Sequence, residues 1–176
     1  MSIQKTSVLK LCSFYVSDWH IVTMLLPYIN RQINNNVKII PILEQSIKEN
    51  IEILINKLNL KNKEKILNIN WDKTNGLKYL NINNLVKANK NEEILIIIKG
   101  SKQYIKTVNR NIQKSIEKNE IKTKIKVVDC YEVMQFNGNI QEILDEHDKI
   151  LNTSGEKEIN DIFEGYKKNK KLRNAE

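Results

Sequence analysis

Ile94-Leu95-Ile96-Ile97-Ile98 is an unbroken aliphatic run that stops at Lys99-Gly100. A strand with one wet face alternates apolar and polar residues, so a run without a polar position predicts a central strand covered on both faces, as in parallel sheets sandwiched between helices. The flanking segments supply the layers. Downstream, Tyr104, Ile105, Val108, Ile112 and Ile116 recur at helical spacing over residues 101–119, and residues 124–130 (KIKVVDC) read as another strand. Upstream, residues 37–43 (VKIIPIL) read as a strand, and Ser46-x-x-Glu49 matches a capping box leading into a helix with Ile47, Ile51, Leu54, Ile55 and Leu58 on one face. A strand is expected over residues 66–71, followed by a turn at Asn75-Gly76 and a helical stretch over residues 79–88.

The ends continue the alternation. Residues 7–15 (SVLKLCSFY) predict the first strand, and Ser17 or Asp18 caps a helix over 18–34 that Pro27 should bend or interrupt and that Asn34-Asn35-Asn36 ends. A helix is expected over residues 139–151, with Ile140, Ile143, Leu144, His147 and Leu151 inward, and a last one over residues 158–166. Five strands alternating with helices predict an α/β three-layer sandwich: a five-stranded, mostly parallel sheet with helices on both faces and any binding site at the carboxyl ends of the strands. Residues 152–156 (NTSGE) read as a hinge, dividing an α/β domain over 1–151 from a C-terminal amphipathic helix and basic tail over 152–176.

Composition narrows the class. With 40% hydrophobic and 28% charged residues and few Gly and Pro, the 176-residue chain is a folded domain and not a fibrous or linker-like one. Cys12 and Cys130 lie far apart and outside any metal spacing, predicting two buried free thiols in a reducing compartment and no zinc. No apolar run is long enough to span a bilayer and the first residues lack a secretion signal, so the expectation is a cytoplasmic protein. The net charge of +8 would suit an acidic partner, but heavy Asn, Ile and Lys usage also fits an AT-rich genome that inflates lysine without functional demand.

Few constellations carry chemistry. The turn after the first strand, Val16-Ser17-Asp18, has no glycine or lysine, and Gly100-Ser101-Lys102 lacks the upstream glycine of a phosphate loop, so nucleotide hydrolysis is not expected. His20 and His147 have no partner at ligand spacing, and a histidine on an apolar helix face is usually hydrogen-bonded within a core. Lys102, Lys106, Arg110, Lys114 and Lys118 recur every fourth residue and make a row that drifts around its helix, able to follow a phosphate backbone or an acidic partner. The lysine-rich composition favours a solvated outer face for that row. Lys167, Lys168, Lys170, Lys171 and Arg173 form a second basic cluster, and sparse aromatics give sequence-specific DNA reading little support.

Lys10-Leu11-Cys12-Ser13-Phe14-Tyr15-Val16-Ser17-Asp18, followed by Leu25-Leu26-Pro27-Tyr28-Ile29, resembles the opening of MEDS domains, the methanogen/methylotroph DcmR sensory domains. The likeness extends over about residues 7–151, because Tyr131-Glu132, Phe136, Ile143-Leu144 and His147 are similar to the family's closing Tyr-Asp, Phe, Leu-Leu and His pattern. Departures fall at Lys10, where the family has histidine, at Asn34-Asn35-Asn36 in place of a glycine turn, and at Lys99-Gly100-Ser101 in place of Met-Ser-Trp. The resemblance implies a degenerate relative of the RecA/KaiC-like P-loop fold that has lost its phosphate loop and serves as a sensory domain.

The resulting expectation is a non-catalytic sensory or regulatory module, without a cofactor or metal, that binds an unidentified small molecule and signals through a protein partner. Phe14, Tyr15 and Ser17 after the first strand, Lys99 and Ser101 after the fourth, and Tyr131 and Glu132 after the fifth would surround the ligand. An apolar face of Ile159, Phe163 and Tyr166 leaves homodimerisation and partner docking both open. The alternative is a nucleic-acid-binding accessory protein using the basic row over 102–118 and the basic tail.

Overall fold

The computed structural model describes residues 8–75, 93–119, 123–135 and 140–168. The first strand, β1 (Val8–Tyr15), leads through Val16-Ser17 into α1 (Asp18–Asn34). Pro27 neither bends α1 to a stop nor interrupts it. Asn36 ends it at φ 59°, the left-handed conformation that lets Val37 N–H return to the Gln32 carbonyl at 3.0 Å. Then come β2 (Lys38–Leu43), α2 (Lys48–Ile55), α3 (Lys63–Leu67), β3 (Ile94–Lys99) and α4 (Lys102–Asn119). The chain closes with β4 (Ile125–Glu132), a 3-10 turn over Val133–Gln135, α5 (Ile140–Asp145), β5 (Lys149–Asn152), β6 (Gly155–Lys157) and α6 (Ile159–Ile162).

These elements form an α/β fold around one sheet in the order β2-β3-β4-β1-β5-β6, parallel throughout except for β6, which pairs antiparallel with β5. Every residue of β3 is buried, as its apolar run requires. Its side chains alternate between two cores. Leu95 and Ile97 join Leu11, Val128 and Cys130 beneath α1, α2 and α3, while Ile94, Ile96 and Ile98 join Cys12, Val127 and Ile150 beneath α4 and α5. The two cores are the two interlayer spaces of a helix-sheet-helix sandwich.

Five expectations need correction. Residues 66–71 form no strand: Ile66 ends up in α3 and Trp71 in an irregular segment after it, both in the first core. The capping box at Ser46 and Glu49 does not form; α2 starts at Lys48, and the Ser46 hydroxyl accepts from Lys48 N–H at 3.2 Å while donating to the Trp71 carbonyl at 3.1 Å. The helix expected over 139–151 stops at Asp145, because Asp148 N–H donates to the Lys10 carbonyl at 2.7 Å and turns the chain onto the free edge of β1. The hinge expected over 152–156 is the turn of the β5–β6 hairpin, so the sheet has six strands in place of five and extends beyond residue 151. The last helix is shortened to four residues, and Ile159, Phe163 and Tyr166 pack into the second core instead of leaving an apolar face open. The turn at Asn75-Gly76 and the helix over 79–88 lie at or beyond the boundary of the described residues.

The hairpin is tied to the sheet by a carboxylate. Glu156 accepts from the Tyr28 hydroxyl at 2.8 Å and from Lys126 Nζ at 2.7 Å. Burial alone would raise its pKa, but those two hydrogen bonds, with the positive charges of Lys126 and Lys149, outweigh burial and hold the carboxyl below its ordinary range. A carboxyl depressed in the folded state contributes stability above its unfolded pKa and loses it as pH falls through the folded value. Glu156→Gln is therefore expected to be less stable than the native chain at neutral pH, with the gap closing below about pH 4. Urea titrations across that range test this; a gap that stays constant to low pH would reject the assignment.

Candidate functional site

The connection out of β1 runs to the far edge of the sheet at β2, whereas the connection out of β4 crosses to β5 on the other side of β1. Adjacent parallel strands whose connections leave in opposite directions open a crevice at their carboxyl ends, and here that point lies between β1 and β4, where Tyr15 pairs with Glu132. The two-residue turn above β1 closes the start of α1 with the chain's own groups. Ser17 Oγ accepts from His20 N–H at 3.2 Å, and His20 Nδ1 accepts from Val16 N–H at 3.0 Å. Asp18, in the first turn of α1, supplies the negative charge that the helix terminus favours.

Lys99 ends β3 beside this turn. It is only 5% exposed, its Nζ lies 3.0 Å from Asp18 Oδ1, and it sits over the Tyr15 ring at 5.2 Å from the centroid. The start of α4 is closed in the same manner: Ser101 Oγ accepts from Tyr104 N–H at 3.1 Å, and Ser101 N–H donates to Glu44 Oε2 at 2.8 Å. Gly100 is needed for that close approach, since a Cβ there would stand 2.6 Å from both Glu44 Oε2 and the Tyr104 ring.

The residues expected to surround a ligand therefore divide. Tyr15 and Lys99 meet on the α1 side of the sheet. Phe14 and Tyr131 point to the α4 side, stacked at 6.0 Å between centroids, with Phe163 edge-on to Phe14 at 6.4 Å. Ser17 and Ser101 use their hydroxyls as helix caps, and Glu132 is partly exposed beside Tyr15. Tyr15 and Tyr131 are buried, and burial pushes both phenols above the ordinary tyrosine range, so each is a packed ring and a neutral hydroxyl.

Sequence reasoning overlooked the residues that face outward at the same edge. Val16 and Val133 follow the paired positions Tyr15 and Glu132, and both are exposed, as are Trp19 at 47% and Met134 at 82%. The readable signal was apolar residues placed immediately past the ends of two parallel strands, where burial by the sheet has ceased. Aromatic and methionine side chains held in solvent are the compositional mark of a recognition surface.

Beneath this edge lies a buried polar brace. Asp129 and His147 are both fully enclosed, with His147 Nε2 at 2.7 Å from Asp129 Oδ2 and Nδ1 facing the Ile143 carbonyl. Asn109 Nδ2 donates to Asp129 Oδ1 at 3.0 Å, and Lys10 Nζ stands 3.6 Å from Oδ2. His147 also meets Tyr131 edge-on at 6.0 Å. The brace joins β1, β4, α4 and the turn that leads into β5, and its enclosure makes it structural. Cys12 and Cys130 are free and buried; burial, reinforced by Asp129, pushes the Cys12 thiol up to about 12, leaving it un-ionised at neutral pH. Among the described residues no group of three or more His, Cys, Asp or Glu could hold a metal ion, and no helix is long and apolar enough to cross a membrane.

Compared with known proteins, the chain matches no family model, no curated protein and no solved structure.

Proposed function

We propose that the chain is a non-catalytic sensory or regulatory module, of the kind that the MEDS-like sequence pattern implies, which recognises a small molecule at the carboxyl edge of the sheet and passes the bound state to a protein partner. The observation that carries this reading is the placement, around the switch point between β1 and β4, of exposed Val16, Trp19, Val133 and Met134 together with the buried Lys99, whose amine is paired with the solvent-accessible Asp18. The Ser17 and Ser101 hydroxyls and the Glu44 and Asp18 carboxylates there are already engaged in caps and ion pairs, which supports recognition over bond-making. The ligand that fits this chemistry has an apolar or aromatic body for Trp19 and Met134, and an anionic group able to compete with Asp18 for Lys99.

Native mass spectrometry of protein gently purified from its own host tests the proposal. A stoichiometric small molecule is expected, and Trp19→Ser with Met134→Ser, both at exposed positions, should lose it with an unchanged melting temperature. Ligand-free native protein, or full retention by the double variant, would overturn the reading. Tyr15 and Tyr131 are poor test positions because truncating either opens the core.

A further inference from the structure

α4 carries the most one-sided charge among the described elements. Its basic residues Lys102, Lys106, Arg110, Lys114 and Lys118 are all exposed, and its only acid, Glu117, is held by Gln113 at 3.0 Å. Lys102 pairs with Glu142 at 3.3 Å. Among the described residues Lys106, Arg110, Lys114 and Lys118 have no carboxylate partner, whereas Lys10, Lys48, Lys99, Lys126, Lys149 and Lys168 each do. The row from Lys102 to Lys118 covers about 24 Å of helix and turns by about 40° at each step.

What lies between the cations identifies the partner. The other exposed side chains of α4 are Gln103, Gln113 and Glu117, and its apolar residues Ile105, Val108 and Ile112 are buried in the second core. A membrane-surface helix needs an apolar face for the acyl boundary, and a protein interface is usually centred on an aromatic or aliphatic anchor, and this face offers neither. A single strand calls for aromatic platforms on which bases stack, which are also missing from it. Lysine, arginine and glutamine side chains are among the groups that contact phosphate oxygens.

We propose that the outer face of α4 binds the phosphate backbone of duplex nucleic acid without sequence preference, through Lys106, Arg110, Lys114 and Lys118. This surface is separate from the apolar carboxyl edge, so it stands or falls independently of the small-molecule reading. The test is fluorescence anisotropy of the full chain with a mixed-sequence DNA duplex, the matching RNA duplex and the unpaired strand, over a salt series. Three to four phosphate contacts give an expected slope of log affinity against log salt of about −3. Lys106→Gln with Arg110→Gln and Lys114→Gln should reduce that slope to about −1 and weaken binding at least tenfold at low salt. Lys57→Gln with Lys61→Gln and Lys65→Gln, exposed positions outside α4, makes the same change in net charge and should leave most of the binding intact. Equal losses in the two triple variants, flat weak binding by the native chain, or tighter binding to the single strand or to anionic vesicles than to either duplex would each overturn the proposal.

Discussion

Asp129→Ala is expected to lower the stability of the fold by about 3–5 kcal/mol, the cost of breaking an enclosed ion-pair network by removing one partner. Three groups converge on this carboxylate: His147 at 2.7 Å and Asn109 at 3.0 Å by hydrogen bonds, and the Lys10 ammonium as an ion pair at 3.6 Å. Without it the buried imidazole loses the partner of its Nε2, an enclosed unsatisfied group costing about 1–3 kcal/mol, while the half-buried Asn109 amide keeps its bond to the Ile105 carbonyl at 3.0 Å. For a chain of this size the melting temperature should fall by about 6–20 °C. A thermal scan with a double-mutant cycle against His147→Ala is decisive. His147→Ala should cost far less on the Asp129→Ala background than on the native one, with a coupling of about 0.5–3 kcal/mol. A loss under about 1 kcal/mol, or additive losses, would show that the brace contributes little.

The elements legible in the sequence are those whose signal is local. β3 declares itself by five consecutive aliphatic residues, and α4 by its inward Ile105, Val108 and Ile112. β5 was hidden because Ile140, Ile143, Leu144, His147 and Leu151 keep helical spacing straight through it. What converts residues 149–152 into a strand is the distant edge of β1, where Lys10 N–H donates to Asp148 Oδ2 at 3.0 Å and its carbonyl accepts from Asp148 N–H. Sequence pattern holds no record of a contact across nearly the whole chain.

The same division applies to the site. Phe14, Tyr15, Lys99 and Tyr131 do lie at the carboxyl ends of their strands, which follows from topology alone. Which way each ring turns depends on register: pairing Phe14 with Tyr131 and Tyr15 with Glu132 sends the neighbours Phe14 and Tyr15 to opposite layers. Tyr15 and Tyr131 therefore became core, and the outward role passed to Val16, Trp19, Val133 and Met134, which lie past the strands or at the start of a helix and escape the pleat.

Trp71→Ala should be equally severe, at about 3–5 kcal/mol, because a large enclosed aromatic leaves a cavity that the surrounding side chains fill only in part. The indole is 2% exposed and packs with Ile47, Ile51, Ile55 and Ile66, and its Nε1–H donates to the Ile66 carbonyl at 2.8 Å. The Trp71 carbonyl also accepts from Ile47 N–H at 3.1 Å, so the residue anchors α2 and α3 together. Trp71→Phe keeps most of the apolar volume and removes the indole donor, but the Ile66 carbonyl still accepts from Ile69 N–H at 3.1 Å, so the change should cost only about 0.5–1.5 kcal/mol. Two neighbours make the result specific to the observed geometry. A strand over 66–71 would put Leu67, Ile69 and Trp71 on one face and Ile66 on the other, so Leu67 would share the fate of Trp71. The helical turn of α3 instead buries Ile66 and leaves Leu67 43% exposed. Ile66→Ala is then expected to cost about 2–5 kcal/mol and Leu67→Ala about 0.5 kcal/mol or less. Urea denaturation of the four variants settles the arrangement: a large loss at Leu67 with a small one at Ile66 would restore the strand, and the reverse order holds Trp71 to its place as the clasp of the first core.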